Sequence, residues 1–222
     1  AKPGQFIAMY CEDGTKLLPR PISICGIDAE KGTLRVVYRI AGEGTRLFSE
    51  MKEGDSLEVL GPLGNGFTMK EEKAIIVGGG IGIPPMLELA KQLSCEKTVV
   101  LGYRDELFLK DEFESYADVV VATEDGSCGT KGTVIDAIKE AGVDGKVIYA
   151  CGPMPMLKAL AEYAEAHDME AQISLEERMA CGIGACLGCI CKTKKKDHHT
   201  NVNNQRICKD GPVFDAKEVV FS

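Results

Sequence analysis

The chain has 222 residues, is 45% hydrophobic and carries a net charge of −8, which fits a globular protein of about two domains and argues against general nucleic-acid binding. No apolar run reaches the roughly 20 residues needed to cross a bilayer, and the N-terminus lacks the apolar stretch of a signal peptide. Ten cysteines, most of them single in apolar strands as Cys25 and Cys151 are, point to a reducing cytoplasm with some thiols reserved for metal.

Residues 1–71 begin Ala1-Lys-Pro-Gly-Gln-Phe6 directly ahead of a strand pattern, so a first strand upstream is expected to be missing. Short strands follow at Phe6–Cys11, Pro21–Cys25, Leu34–Ile40 and Ser56–Leu60, divided by the turn signals Asp13-Gly14, Lys31-Gly32 and Glu53-Gly54-Asp55. With one helical insertion near Thr45 to Met51, they predict an antiparallel Greek-key β-barrel, truncated at its N-terminus. Arg20 at a strand start has the geometry for bidentate pairing with a pyrophosphate, Pro21 stiffens the edge, and Ser23 can donate to phosphate or flavin. Taken alone, Arg20 is more often a solvated charge. Gly42-Glu-Gly-Thr45 opens the insertion, with Thr45 the expected N-cap and Gly44 permitting an anion to approach, or it is only a helix start. Val37-Tyr38-Arg39 sets an aromatic and a cation on alternate faces of one strand, where Tyr38 is equally a core residue.

Residues 72–169 change pattern. Strands at Ala74–Val77, Thr98–Leu101, Val119–Ala122 and Val147–Ala150 alternate with helices at Pro84–Leu93, Thr133–Ala141 and Met154–His167. Buried strands joined by helices of this length predict a doubly wound parallel α/β sheet. Gly78, Gly79, Gly80 and Gly82, ahead of Pro84-Pro85, offer backbone N–H groups and a helix start to a pyrophosphate. Ile83 occupies the third position of G-x-G-x-x-G, so the standard fingerprint is absent and a tight turn without ligand is the alternative. Cys151-Gly152-Pro153 ends the last strand at the same edge, where ligands bind. Cys151 either touches a nicotinamide or is a small strand-end hydrophobe, and no proton chemistry is assigned to it. Thr123-Glu-Asp-Gly-Ser127 presents carboxylates that would repel a 2′-phosphate, favouring NAD over NADP, although the cations Arg104 and Lys131 could lie nearby in space.

Residues 170–222 hold Cys181, Cys186, Cys189 and Cys208 in the C-x4-C-x2-C…C spacing of a plant-type [2Fe-2S] site. Gly182, Gly184 and Gly188 let the chain curl close to inorganic sulfide. Zinc is the competing metal, but its ribbons pair two C-x2-C knuckles. Cys191 ranks below Cys208 as fourth ligand, because it falls at an ordinary alternating strand position. The polar insert Lys192 to Gln205 includes Lys194-Lys-Lys-Asp-His-His199, read as a solvated loop rather than a metal or partner site. With so little apolar sequence, the segment is expected to be held by its metal and by docking, and loss of iron to disorder everything from about Glu176 onward.

Arg20-Pro-Ile-Ser23, Gly44-Thr45, Gly61-Pro-Leu-Gly64, Gly78-Gly-Gly-Ile-Gly82 and Cys151-Gly-Pro153 resemble, in this order, the ferredoxin-NADP reductase superfamily. The C-terminal cysteine set with Cys208-Lys-Asp-Gly-Pro-Val-Phe214 resembles the electron-transfer subunits of NAD-dependent (class 1B) dihydroorotate dehydrogenases. The resemblance implies FAD held by Arg20, Pro21, Ile22 and Ser23, by Val37, Tyr38 and Arg39, and by Gly44 and Thr45, with the cluster on the four cysteines. Ile22 stands where many members place a flavin-stacking tyrosine. It further implies that NADH docks at Gly78 to Gly82 and Cys151 to Pro153. A flavin is needed between nicotinamide and cluster, because hydride carries two electrons and a [2Fe-2S] centre takes one. The implied partner is an FMN-containing dihydroorotate dehydrogenase catalytic subunit of pyrimidine biosynthesis, two copies of each chain assembling in the cytoplasm without nucleic acid or membrane. No general base is nominated. The alternatives are the small subunit of an NADH-dependent ferredoxin-NADP reductase or sulfide dehydrogenase complex and, in another class, a non-catalytic metal-sensing or scaffold module.

Overall fold

A computed structural model of the chain describes residues 1–11, 16–197 and 201–221. The Asp13-Gly14 turn signal, and His198 and His199 of the lysine and histidine run, lie outside the described residues. Strands β1 (Phe6–Met9), β2 (Arg20–Asp28), β3 (Thr33–Val36) and β4 (Val59–Leu63) form an antiparallel sheet in the order β3-β2-β1-β4. Helix α1 (Glu43–Glu50) is the expected insertion, but its N-cap is Gly42 and not Thr45. Thr45 lies within the first turn, where its hydroxyl accepts the Ala41 and Gly42 N–H groups at 3.0 and 3.1 Å and donates to the Gly42 carbonyl at 2.9 Å. A threonine hydroxyl that reaches back in this way ties down the segment entering the helix.

The strand predicted to run to Ile40 stops at Val36. Pairing of β2 with β3 ends at Ile24–Val36, while the start of β2, Arg20 to Ser23, pairs only with β1. Val37 to Ile40 therefore has no ladder to join and leaves the sheet. The strand expected at Ser56–Leu60 lies three residues later, at β4, where Phe6 and Ala8 of β1 supply partners for Leu63 and Leu60.

The second sheet contains β5 (Ala74–Gly79), β6 (Lys97–Tyr103), β7 (Asp118–Thr123), β8 (Thr130–Lys131), β9 (Val147–Cys151) and β10 (Glu170–Ser174). Beyond a short hairpin of β11 (Ile190–Lys192) and β12 (Asn204–Arg206), β13 (Val213–Asp215) returns to its edge, giving the order β13-β10-β9-β5-β6-β7-β8. Only β13 is antiparallel. Helices α2 (Ile83–Gln92), α3 (Lys110–Glu114), α4 (Val134–Glu140) and α5 (Met154–Ala166) complete the layers. Every residue of β5 is buried, as expected of a central strand covered on both faces.

The two sheets are held together through α2. Glu88, only 2% exposed, accepts the Ile27 N–H of β2 at 2.8 Å and a Gln92 amide N–H at 2.6 Å. Lys91 donates to the Ile27 carbonyl at 3.2 Å. Both backbone groups of one barrel residue are thus gripped by the helix that follows the glycine turn.

Residues that the sequence division places in the C-terminal segment enter the second sheet as β10 and β13. Ile207, Phe214, Ala216 and Val219 are buried in the core on one face of that sheet, and Val213 in the core on the other. Burial of Phe214 alone contributes about 2 kcal/mol. This segment therefore has more apolar core than its sequence suggested, which favours a narrower dependence on iron than everything from Glu176 onward. The ends of the polar insert are also paired, Lys192 with Asn204 and Gln205 with Cys191. Removing iron is expected to release the Cys181 to Cys189 loop while the amides of Val213 to Asp215 stay protected from hydrogen exchange. Loss of protection throughout 207–219 would contradict this.

Candidate functional site

A cleft of about 310 Å³ opens where the barrel sheet meets the carboxyl edge of the second sheet. Arg20 to Ser23 from the start of β2, Val37 to Arg39 from the segment that leaves β3, and Thr45 of α1 form one wall. The unpaired stretch after Val36 is what makes room for this cleft. Tyr38 serves both readings of it, lining the cleft and packing edge-on against Phe48 with ring centroids 6.3 Å apart.

Gly44 stands behind Arg20. A methyl group at this position would overlap Arg20 Nε and Cζ and lie 2.7 Å from Nη2. The guanidinium therefore rests on a bare backbone, with Nη1 donating to the Leu18 carbonyl at 2.5 Å. Gly44→Ala is expected to push Arg20 aside, since the end of a flexible side chain yields before backbone does. FAD binding should weaken by about 2 kcal/mol, roughly thirtyfold, with the melting temperature of the flavin-free protein unchanged. Titration of that protein with FAD checks it.

Sequence reasoning missed the opposite wall, built by Ser174, Leu175, Glu176, Glu177 and Met179 together with Pro212. The alternation of Ala171, Ile173 and Leu175 after α5 was the available signal for a further strand ending at this edge. Glu176 is exposed as a residue and lines the cleft; desolvation of its carboxyl raises its pKa, and the charge of Arg39 opposes the shift.

The two predicted glycine turns meet. Gly80 adopts φ 52° with nothing within 4 Å of an added methyl, so its backbone is open to a ligand. Gly82 instead presses on the other turn: its methyl would fall 2.5 Å from the carbonyl carbon of Cys151 and 2.6 Å from Gly152 N. A methyl on Gly79 would lie 2.5 Å from Met156 Sδ, and one on Gly78 2.9 Å from Ile83 Cα. Pro84 and Pro85 remove two donors from the first turn of α2, so the glycine backbone carries most of the N–H groups on offer. The Cys151 thiol is wholly buried, and burial followed by the charge of Glu176 pushes its pKa up to about 12. Pro153 is the exposed residue of that turn.

The four candidate ligands lie in two pairs. Ala185 and Cys186 donate N–H groups to Cys181 Sγ at 3.3 and 3.4 Å, and Gly188 donates to Cys186 Sγ at 3.4 Å. Cys208 N–H donates to Cys189 Sγ at 3.4 Å, both residues being 2% exposed. Burial works against a Cys181 thiolate, but the N–H groups of Ile183, Cys186 and Ala185 and the Cys186 side chain bring its pKa down to about 6. Burial, then the Cys189 thiol, pushes Cys208 up to about 12. Cys191 lies on β11 opposite Gln205. All ten cysteines are free, and among the described residues no three His, Cys, Asp or Glu side chains gather round a point suited to one ion. Two thiol pairs with N–H groups aimed at sulfur fit a two-iron cluster better than a single zinc.

A model of the iron-sulfur cluster binding domain of dihydroorotate dehydrogenase B matches residues 176–220, and one of the oxidoreductase NAD-binding domain matches residues 76–162. The dihydroorotate dehydrogenase B (NAD(+)) electron transfer subunit of Caldanaerobacter subterraneus is 48% identical over 99% of this chain and 87% of its own length. That of Fusobacterium nucleatum is 46% identical over 98% and 86%. Among solved structures, that of an NADH-dependent reduced ferredoxin-NADP oxidoreductase, described for flavin-based electron bifurcation, superposes with a TM-score of 0.88 and 29% identity over all of this chain and 80% of its own. By the extent of these matches, the chain belongs to the family of dihydroorotate dehydrogenase B (NAD(+)) electron transfer subunits.

Proposed function

We propose that this protein passes electrons between NAD(H), FAD, a [2Fe-2S] cluster and the FMN of a separate subunit that oxidises dihydroorotate in UMP synthesis, two copies of each subunit assembling in the cytoplasm. The observation that carries this reading is the composition of the cleft. Its walls come from the barrel and the sheet edge, and also from Met179, two residues before Cys181, and Pro212, four residues after Cys208. This supports a path in which a cofactor in the cleft lies near both halves of the cysteine site.

Arg20 supplies the cation for a pyrophosphate, held in place by Gly44 and the Leu18 carbonyl. Ser23 and Thr45 offer hydroxyls, and Ile22, Val37, Tyr38 and Arg39 complete the same wall. The backbones of Gly78, Gly79, Gly80 and Gly82, with Gly152 and Pro153, form the landing for NADH at the adjoining edge. Cys151 packs beneath that edge as a neutral thiol. Cys181, Cys186, Cys189 and Cys208 would hold the cluster, and the backbone N–H groups aimed at their sulfurs would offset its negative charge. When bound, the flavin exchanges a two-electron hydride for single electrons, the form in which the cluster relays them. No side chain in the cleft is needed as a general base; the contribution of the protein is position and electrostatics.

The test is anaerobic addition of NADH to the reconstituted two-subunit complex. Bleaching of FAD, a reduced-cluster signal and reduction of the partner FMN should follow in that order. A flavin that bleaches while cluster and partner stay oxidised would refute the reading. The structural match to the ferredoxin-NADP oxidoreductase favours a second reading, that of its small subunit, and copurification of a large cluster-bearing flavoprotein in place of an FMN subunit would select it. No helix among the described residues is long and apolar enough to cross a membrane.

A further inference from the structure

We propose that Asn65 is a positioning residue that fixes the Cys208 segment against the flavin cleft and so sets the separation across which electrons pass; this rests on the path from FAD to cluster proposed above. Asn65 follows β4 by two residues, and four hydrogen bonds join it to one stretch of chain nearly 150 positions away. Its own N–H donates to the Gly211 carbonyl at 2.7 Å. Its Nδ2 donates to the Asp210 and Val213 carbonyls at 3.0 and 3.1 Å, and its Oδ1 accepts the Val213 N–H at 3.1 Å. A side-chain amide has the two donors and one acceptor that this requires, and a carboxylate has no donor. One residue thus stands in for strand pairing between the barrel and the segment linking Cys208 to β13.

That segment is where position matters. Cys208 lies two residues before Asp210, and Pro212 is in the wall of the cleft. Gly64 shows how close the approach is: at φ 70°, an added methyl would lie 2.6 Å from Pro212 Cδ and 2.8 Å from the Gly211 carbonyl. The same corner reaches the other ligand loop by two routes. Leu63 Cδ1 lies 3.3 Å from where a methyl on Gly182 would be. Asp210 accepts Arg206 Nε at 2.9 Å and Nη2 at 3.0 Å, while Arg206 Nη1 donates to the Gly184 carbonyl at 3.2 Å. Both ligand segments are therefore referenced to Leu63, Gly64 and Asn65. Asn65 itself neither lines the cleft nor ligates metal. It is solvent-exposed, so its loss should cost the fold little and appear in geometry.

The experiment uses the reconstituted complex with FAD and cluster, mixed anaerobically with NADH. Flavin bleaching is followed optically and cluster reduction by freeze-quench electron paramagnetic resonance. In Asn65→Ala, bleaching should keep its wild-type rate while cluster reduction slows several-fold, because electron tunnelling falls steeply with each added ångström of separation. Iron content and the resonance line shape should not change. Asn65→Asp keeps the acceptor for Val213 N–H but turns a carboxylate towards two carbonyls, so it should slow transfer no less. Wild-type transfer rates in both variants would overturn the inference. So would equal slowing of bleaching and cluster reduction, or loss of iron from both variants, which would make Asn65 a general or cluster-retaining support. A wild-type cluster that NADH never reduces would instead overturn the underlying path.

Discussion

Cys186→Ser is expected to lower NADH-driven reduction of the partner subunit at least about 100-fold, because changes outside the ligand shell already cost 10–100-fold and this one removes a ligand. Reduction of a dye that takes electrons directly from the flavin should persist. Cys186 is the exposed member of the four, and its Sγ receives the Gly188 N–H at 3.4 Å. A serine hydroxyl stays protonated at neutral pH and gives iron no thiolate. The cleft residues lie elsewhere, so the loss should divide the pathway at the cluster. Iron analysis, partner turnover and dye reduction on one preparation check it, and full partner turnover in the variant would contradict the proposed route.

Gly82→Ala should be the most damaging of the glycine substitutions in the nucleotide turns. The new methyl would meet backbone, Cys151 C at 2.5 Å and Gly152 N at 2.6 Å, and neither can rotate away. The turns closing β5 and β9 must separate, at a cost of about 3 kcal/mol and a fall in melting temperature near 10 °C. The NADH KM should rise at least about tenfold, since the same backbones form the nucleotide landing. Gly42→Ala is the control: nothing lies within 4 Å of its methyl and its φ of −173° is open to any residue. A Gly82→Ala protein with the wild-type melting temperature and KM would show that the turns adjust freely.

The parts of the fold set by local pattern were legible. The apolar run Ala74–Val77 before glycine, the helical spacing of Met154 to His167 and the switch from short strands to alternating strand and helix all correspond to elements of the structure. The cysteine spacing likewise pointed to two irons, and the thiols lie in two pairs. What failed depended on partners distant in sequence. Val37 to Ile40 has strand character, yet it lies outside the sheet because the start of β2 is paired on its other side with β1. Thr45 is the local exception: it looks like an N-cap, but its hydroxyl bonds back to Ala41 and Gly42 from inside the first turn. The last parallel strand, β10, was passed over because Glu170 to Ser174 is short and half polar, and its strand identity comes from lying beside β9.

By itself, the sequence determined the chemistry available: four thiols at cluster spacing, glycines free to take φ values closed to other residues, and an arginine at a strand start. Those properties belong to residue types and to neighbours a few positions away, which the linear chain already fixes. Only the tertiary structure decided how they combine. It placed Glu176, Met179 and Pro212 in the wall opposite Arg20, pressed Gly82 against Cys151, and tied Asn65 to Asp210 and Val213. Each is a contact between segments far apart in the chain, set by sheet order and close packing. No local pattern encodes that order, and it is what brings Met179 and Pro212, which flank the cysteine segments in sequence, to the wall of the cleft.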